Sequence, residues 1–413
     1  MGDLKDLFRG LLKDTPHIFM DRNVFSSGYT PASLPHRDAQ ITTLASILVK
    51  ALRGDAPSNV LMYGKTGTGK TAVARYVGEE LEKMGVETNV TCSVLYINCE
   101  LVDTQYRLLA QLAKAFDCEV PFTGWPTDHV YEEFKKAIDS KEQIVIIILD
   151  EVDNLVIKSD DALYNITRIN GVLKNAKVSL IGISNDLNFT DYLDPRVKSS
   201  LGEEELIFPP YDALQIQDIL YQRAKNGFNE GVLADDVIPM CAAYAAQEHG
   251  DARRALDLLR VSAELAERAK LIQVAGMHVR MAQDKIESDR IIEVIRTLPV
   301  QSKLVLYSVI VLLDNGSRVS RTGEVYSIYK QLCNNIDTDI LTQRRITDLI
   351  SELDMLGIIN AIVVNKGRYG RTKEISLSVP VQSIRNVLTD EQRLTSLSEF
   401  KPVNMQVSLA AAY

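Results

Sequence analysis

The segment GKTGTGKT at 64–71 fits G-x-x-x-x-G-K-[ST]. It stands between the apolar run NVLMY (59–63) and a helical stretch beginning AVARYVGEEL. Apolar run, glycine loop and helix in that order require a strand–loop–helix unit whose loop amides converge on one point. Gly64, Gly67 and Gly69 permit the tight turn that aims successive N–H groups at a phosphate. Lys70 adds a point charge for the β- and γ-phosphates, and the helix that follows points its positive end at the same anion. Thr66, Thr68 and Ala72 complete the stretch expected around the phosphates. The hydroxyl of Thr71 is placed for Mg²⁺, so the expected ligands are ATP or ADP with Mg²⁺.

Four more apolar runs follow: VLYINC (94–99), IVIIIL (144–149), VSLIGIS (178–184) and ELIFP (205–209), separated by longer helical stretches. Continuous runs of this kind suit strands covered on both faces, so a parallel α/β sheet is expected. The third run ends in Asp150 and Glu151. Strand alternation is expected to send these two carboxylates to different sides, Asp150 to the metal and Glu151 to the attacking water. Asn185 follows the fourth run and is placed to hold that water or the γ-phosphate. Arg253, in GDARRALDLL, begins a helix from which it can reach back to the γ-phosphate; a solvated helix charge at Arg253 or Arg254 is the alternative.

Beyond 212 the strand signal ends. Leu214, Ile216, Ile219 and Leu220, then Ala255, Leu258, Leu259, Ser262 and Leu265, mark amphipathic helices, and Pro299 marks a boundary. Three domains are expected: 1–210 with the nucleotide loop, 211–298 all-helical, and 299–413. The longest near-apolar run, 304–313, is about half of what a membrane-spanning helix needs. The N-terminus carries acids among its apolar residues and has no secretory core. The five cysteines show no CxxC and are read as buried, reduced thiols of an intracellular, cytoplasmic protein. The scattered histidines predict no protein-ligated zinc.

A net charge of −9 by itself disfavours nucleic acid. The charge is uneven, however. Residues 290–413 hold 15 Lys and Arg against 12 Asp and Glu, leaving 31 against 43 of the chain's 46 and 55 for the remainder. AIVVNKGRYGRTKEISLSV reads as a β-hairpin whose tip carries Lys366, Arg368, Tyr369, Arg371 and Lys373 without an acid. Such a tip suits a duplex backbone, with Arg368 or Arg371 able to enter a minor groove; a solvated basic hairpin is the alternative. Upstream, Ile346, Leu349, Ile350, Leu353 and Leu356 set one face of a helix. Thr342, Arg344, Arg345 and Asp348 are left pointing elsewhere, and Arg344 and Arg345 are expected to contact DNA.

LPHRDAQI, GKTGTGKT, ILDEVDNL, ISNDL and GDARRALDLL, in this order and spacing, resemble an AAA+ ATPase of the initiator clade. More closely, they resemble the archaeal origin-recognition/cell-division-cycle replication initiators, over nearly the whole chain. The resemblance implies a RecA-like parallel sheet with a helical lid and a C-terminal winged helix that binds origin DNA. It implies slow, Mg²⁺-dependent ATP hydrolysis, and as partners double-stranded origin DNA, the replicative helicase and paralogous initiator subunits, at the nucleoid and without a membrane. Asn185 then matches the family's first sensor and Arg253 its second. Val24, Tyr29 and Pro31 resemble the segment along the adenine base, and Tyr211 and Ile219 match positions that close over it, though both serve equally as lid core. The stretch 160–177 matches an extra helix that touches DNA in relatives. There Leu163, Ile166 and Leu173 would face the sheet and Asn165, Arg168 and Asn170 would point outward; a plain surface helix is the other reading. One departure is the segment PRVKSSLG, where Ser200 occupies the place of an arginine finger, with Arg196 nearby. A clamp-loader-like subunit with a helical collar and an ATP-gated transcription regulator stay open as alternatives.

Overall fold

The computed structural model describes residues 17–26, 28–102, 104–121, 123–156, 161–191, 193–315, 319–365, 371–391, 393–400 and 402. The chain divides between Met281 and Ala282 into two compact units.

The first unit is built on a five-stranded parallel sheet of β1 (Val60–Tyr63), β2 (Cys92–Asn98), β3 (Gln143–Asp150), β4 (Ala176–Ser184) and β5 (Glu204–Ile207), in the order β2-β3-β4-β1-β5. Every residue of β3 is buried, and its side chains alternate between two cores. Val145, Ile147 and Leu149 join Leu61, Leu108, Leu112 and Phe134 on one face. Ile144, Ile146 and Ile148 join Met62, Leu44, Val73 and Val77 on the other. An unbroken isoleucine-rich run is thus explained by a sheet covered on both sides. The covering helices are α1 (Asp38–Leu48), α2 (Lys70–Glu87), α3 (Gln105–Lys114), α4 (Thr127–Ile138), α5 (Asp153–Val156), α6 (Asp161–Thr167) and α7 (Pro195–Leu201). α6 is much shorter than the 160–177 stretch expected. It gives way to a 3-10 turn at Ile169–Gly171, where Asn170 stays exposed, as expected, and its amide exchanges two 2.7 Å hydrogen bonds with the backbone of Val178.

The lid helices in the same unit are α8 (Ala213–Gly227), α9 (Val237–Gln247) and α10 (Ala252–Arg268). α8 starts sharply because Asp212 and Gln215 form a reciprocal capping box. Leu214, expected on the apolar face, is 71% exposed, because it lies on the side of the helix opposite buried Ile216, Ile219 and Leu220. The leader packs on this lid: Phe19 and Phe25 enclose Phe228, and Met20 N–H donates to the carbonyl of Gly227. Three cysteines are buried and unpaired, but Cys92 and Cys118 are only half-buried: Cys92 opens β2 and Cys118 lies in the connection after α3.

α11 (Gly276–Thr297) runs across the division between the units. The second unit holds α12 (Val300–Asp314), β6 (Ser320–Arg321), α13 (Thr322–Asn335), α14 (Gln343–Met355), β7 (Ile359–Asn365), β8 (Arg371–Leu377) and α15 (Val381–Thr389). Its sheet is antiparallel in the order β6-β8-β7, beside a core of Leu304, Ile310, Tyr329, Ile346, Ile350 and Ile375. This is a winged helix, not an all-helical collar.

Candidate functional site

The glycine loop leaves β1 and enters α2 through Gly67 (φ 67°) and Gly69 (φ 90°), backbone angles that strain any residue with a Cβ. The lid rests directly on this loop. A Cβ on Gly67 would lie 1.6 Å from Asp251 Oδ1, and Ala252 N–H donates to the Gly67 carbonyl at 3.2 Å. Asp251 also caps α10 by accepting from the N–H groups of Arg253 and Arg254.

Lys70 is buried. Its Nζ donates to the carbonyls of Gly64 (2.7 Å) and Lys65 (2.8 Å) and to Asn185 Oδ1 (2.9 Å). Burial lowers its pKa to about 8; Asp150 opposes that shift and Arg253 adds to it. Thr71 Oγ1 donates to Asp150 Oδ2 at 2.7 Å, which joins the first turn of α2 to the end of β3. Glu151 does not continue the strand as expected. It adopts a left-handed φ of 53°, so its carboxylate parts from Asp150 by a turn of the backbone, not by strand alternation. Burial, then Glu100, Asp150 and Asp153, hold Glu151 above the usual carboxylate range.

A polar pocket is lined by Gly67, Thr68, Gly69, Lys70, Thr71, Asp150, Glu151, Asn185 and Arg253. A more apolar cleft shares Gly67, Gly69, Thr71 and Arg253 and continues along Tyr29, Pro31, Ala72, Tyr211 and Ile219. Val24 is buried but outside this lining, and its carbonyl accepts from Arg223. Thr66 is exposed on the loop. Arg254 pairs with Glu248 at 3.0 Å, which leaves Arg253 as the arginine of the two at the cleft.

Tyr96, Arg75 and Arg37 are three participants that sequence reasoning missed. Tyr96 Oη donates to Asp150 Oδ2 at 2.7 Å, and the Arg75 guanidinium lies 3.8 Å from the Tyr96 ring centroid. Arg37, inside the quoted LPHRDAQI, is buried against the loop. No local pattern marks these residues, because the partners that place them at the site lie about 20 to 170 positions away.

In the second unit, α14 begins at Thr342, whose hydroxyl accepts from Arg345 N–H. Ile346, Leu349, Ile350 and Leu353 are buried. Leu356, expected on the same face, is 45% exposed because it forms the C-cap, where the helical spacing ends. Thr342, Arg344, Arg345 and Asp348 are exposed, and Arg345 lies 3.4 Å from Glu352. Lys373 Nζ donates to Ser351 Oγ at 2.5 Å, tying β8 to α14. Lys366, Arg368 and Tyr369 lie outside the described residues, and Arg371 opens β8. In the first unit, exposed Arg168 lies over Tyr164, as does Arg196, which is ion-paired with Asp194 at 2.9 Å.

Comparison with known proteins bears on these arrangements. The ORC1-type DNA replication protein 1 of Methanosarcina mazei is 66% identical over 400 residues, 96% of each chain. The chain belongs to the ORC1-type DNA replication proteins. The family's relative from Pyrococcus furiosus is 58% identical, with 93% of each chain covered. The solved structure of the Aeropyrum pernix ORC1 protein in complex with DNA is 49% identical, with a TM-score of 0.75 over 92% of this chain and 99% of that one. Family models match an AAA domain over 53–189, a Cdc6 AAA+ ATPase-type lid domain over 217–284 and a CDC6 C-terminal winged helix domain over 293–387. The resemblance read from the motifs is therefore borne out, together with the sheet, lid and winged-helix architecture. At the level of its family the chain is a nucleotide-binding ATPase.

Proposed function

We propose that this chain is an ATP-dependent replication initiator that binds duplex origin DNA and helps to recruit the replicative helicase. The observation that carries the nucleotide half is the buried Lys70, joined to Asn185 and to the loop carbonyls. An ammonium fixed by loop carbonyls at the N-terminus of α2, beside the glycine loop, is a site for a polyphosphate, and the apolar cleft that continues from it suits a base. Lys70 and Arg253 orient the γ-phosphate, and Asn185 holds the attacking water in line. Glu151, with its raised carboxyl, accepts that water's proton. Thr71 and Asp150 offer a compact all-oxygen donor set that fits Mg²⁺. When bound, Mg²⁺ supplies charge neutralisation at the β- and γ-phosphates. Turnover is slow because no arginine occupies the place of Ser200 to act across a subunit boundary.

The DNA half rests on α14 and on the 49% identical relative solved with DNA. Arg344 and Arg345 meet the duplex from the first turn of α14, the hairpin of β7 and β8 lies along the backbone, and Arg168 adds a second contact. Boundaries at 210/211 and 298/299 serve as working limits of the sheet, lid and winged-helix parts. The protein would act in the cytoplasm, at the nucleoid, with paralogous initiator subunits.

Two measurements test this reading. Genome-wide footprints confined to replication origins are expected; peaks at promoters alone would favour a transcription regulator. In vitro, changing Arg344 and Arg345 together to Ala should weaken origin binding by about ten- to a hundred-fold. It should also reduce the dependence of log K on log salt by about two phosphate contacts. Unchanged affinity and slope would remove α14 from the interface.

A further inference from the structure

Arg37 is a buried cation held mainly by groups that belong to other parts of the site. It is 2% exposed. Its Nε donates to the carbonyl of Thr68 in the glycine loop at 2.8 Å. One terminal nitrogen donates to the carbonyl of Pro209, in the connector between β5 and α8, at 2.7 Å, and the other donates to the carbonyl of His36 at 3.1 Å. The guanidinium carbon lies 3.8 Å from the centroid of Tyr211 and 5.7 Å from that of Phe208. Among the described residues no carboxylate pairs with it, and burial holds its pKa below the usual arginine value.

A fork of this kind constrains both carbonyls at once. If Thr68 moves without Pro209, or the reverse, a buried charged donor is left unsatisfied, which weighs against that arrangement by roughly ten-fold or more. The linkage continues into the lid. Tyr211 N–H donates to the Gly250 carbonyl at 3.3 Å, and Ala252, two residues further on, donates to Gly67. The loop, the connector and the start of α10 therefore close into a ring, with Arg37 as its buried member.

We propose that Arg37 is a positioning residue that couples phosphate occupancy of the glycine loop to the orientation of the lid. It lines neither pocket itself and only backs the cleft through Tyr211; it acts by making the Thr68 and Pro209 carbonyls move together. The inference rests on the nucleotide reading of the site. It goes beyond that reading by giving the LPHRDAQI segment a mechanical role.

Hydrogen exchange of the full chain, with ADP and with the slowly hydrolysed analogue ATPγS, tests it through peptides from 64–80, 213–227 and 252–268. In the wild-type chain nucleotide should protect the loop and the lid peptides together. Arg37→Lys keeps the charge but cannot span both carbonyls, and Arg37→Met keeps the stem and removes every donor. Both variants should bind nucleotide about ten-fold more weakly. Whatever nucleotide they bind at saturation should protect the loop but no longer the lid. Wild-type lid protection in either variant overturns the proposal. So does a wild-type chain in which saturating nucleotide protects the loop alone, whatever the stability of the variants. If the wild-type chain binds neither ADP nor ATPγS, the reading of the site itself fails.

Discussion

Asp150 is the residue on which the chemical site turns. One of its oxygens accepts from both Thr71 and Tyr96, and the other accepts from the N–H of Glu151. Tyr96 therefore fixes the carboxylate without lying in the motif that supplies it. Tyr96→Phe should leave nucleotide affinity in EDTA unchanged and raise the Mg²⁺ concentration for half-maximal turnover about five-fold, the loss of one modest hydrogen bond. Glu151→Gln should do the opposite: the Mg²⁺ requirement is kept and turnover falls at least about a hundred-fold. Metal titrations of steady-state hydrolysis separate the two, and equal Mg²⁺ curves for Tyr96→Phe and wild type would deny Tyr96 this role. The loop, Asp150 and Asn185 were legible in the sequence because each sits at the end of a recognisable apolar run. Tyr96 and Arg37 were not, since their significance comes from residues that the sheet order and the lid bring to them.

Among the elements, the strands were the easiest to read. β3 is eight buried residues, six of them an unbroken apolar run between Gln143 and Asp150, a pattern that a doubly covered strand sustains. Helix ends were harder. Leu214 and Leu356 are both exposed: Leu214 falls on the side of α8 opposite Ile216, Ile219 and Leu220, and Leu356 is the C-cap of α14, where the helical spacing ends. The end of α6 has a different reason: the amide of Asn170, exposed as expected, bonds both backbone groups of Val178 on β4, beside the 3-10 turn that follows the helix. The cap of α14 yields a prediction at this scale. Thr342→Ala removes the acceptor for Arg345 N–H and should destabilise the C-terminal unit by about 1 kcal/mol. Urea unfolding of the full chain, followed by a probe in that unit, measures it. A loss of origin affinity without any loss of stability would instead make the hydroxyl a DNA contact.

For the whole molecule, the two compact units divide the ligands between them. Every residue lining the polar pocket precedes Met281, whereas α14 and the β7–β8 hairpin follow it. Calorimetry of the full chain should show nucleotide at a hundred times its Kd adding about 2.7 kcal/mol to the transition of the first unit. A short origin duplex should act instead on the transition of the second. Equal displacement of both transitions by nucleotide alone would show that the units unfold as one. Within the first unit, the contact of Asp251 on Gly67 has a consequence of its own. The gap between lid and loop is thinner than a single methyl group, so position 67 works as a feeler gauge. Any residue with a Cβ there is a wedge, holding α10 and with it Arg253 off the loop while Lys70, Asp150 and Asn185 are left in place.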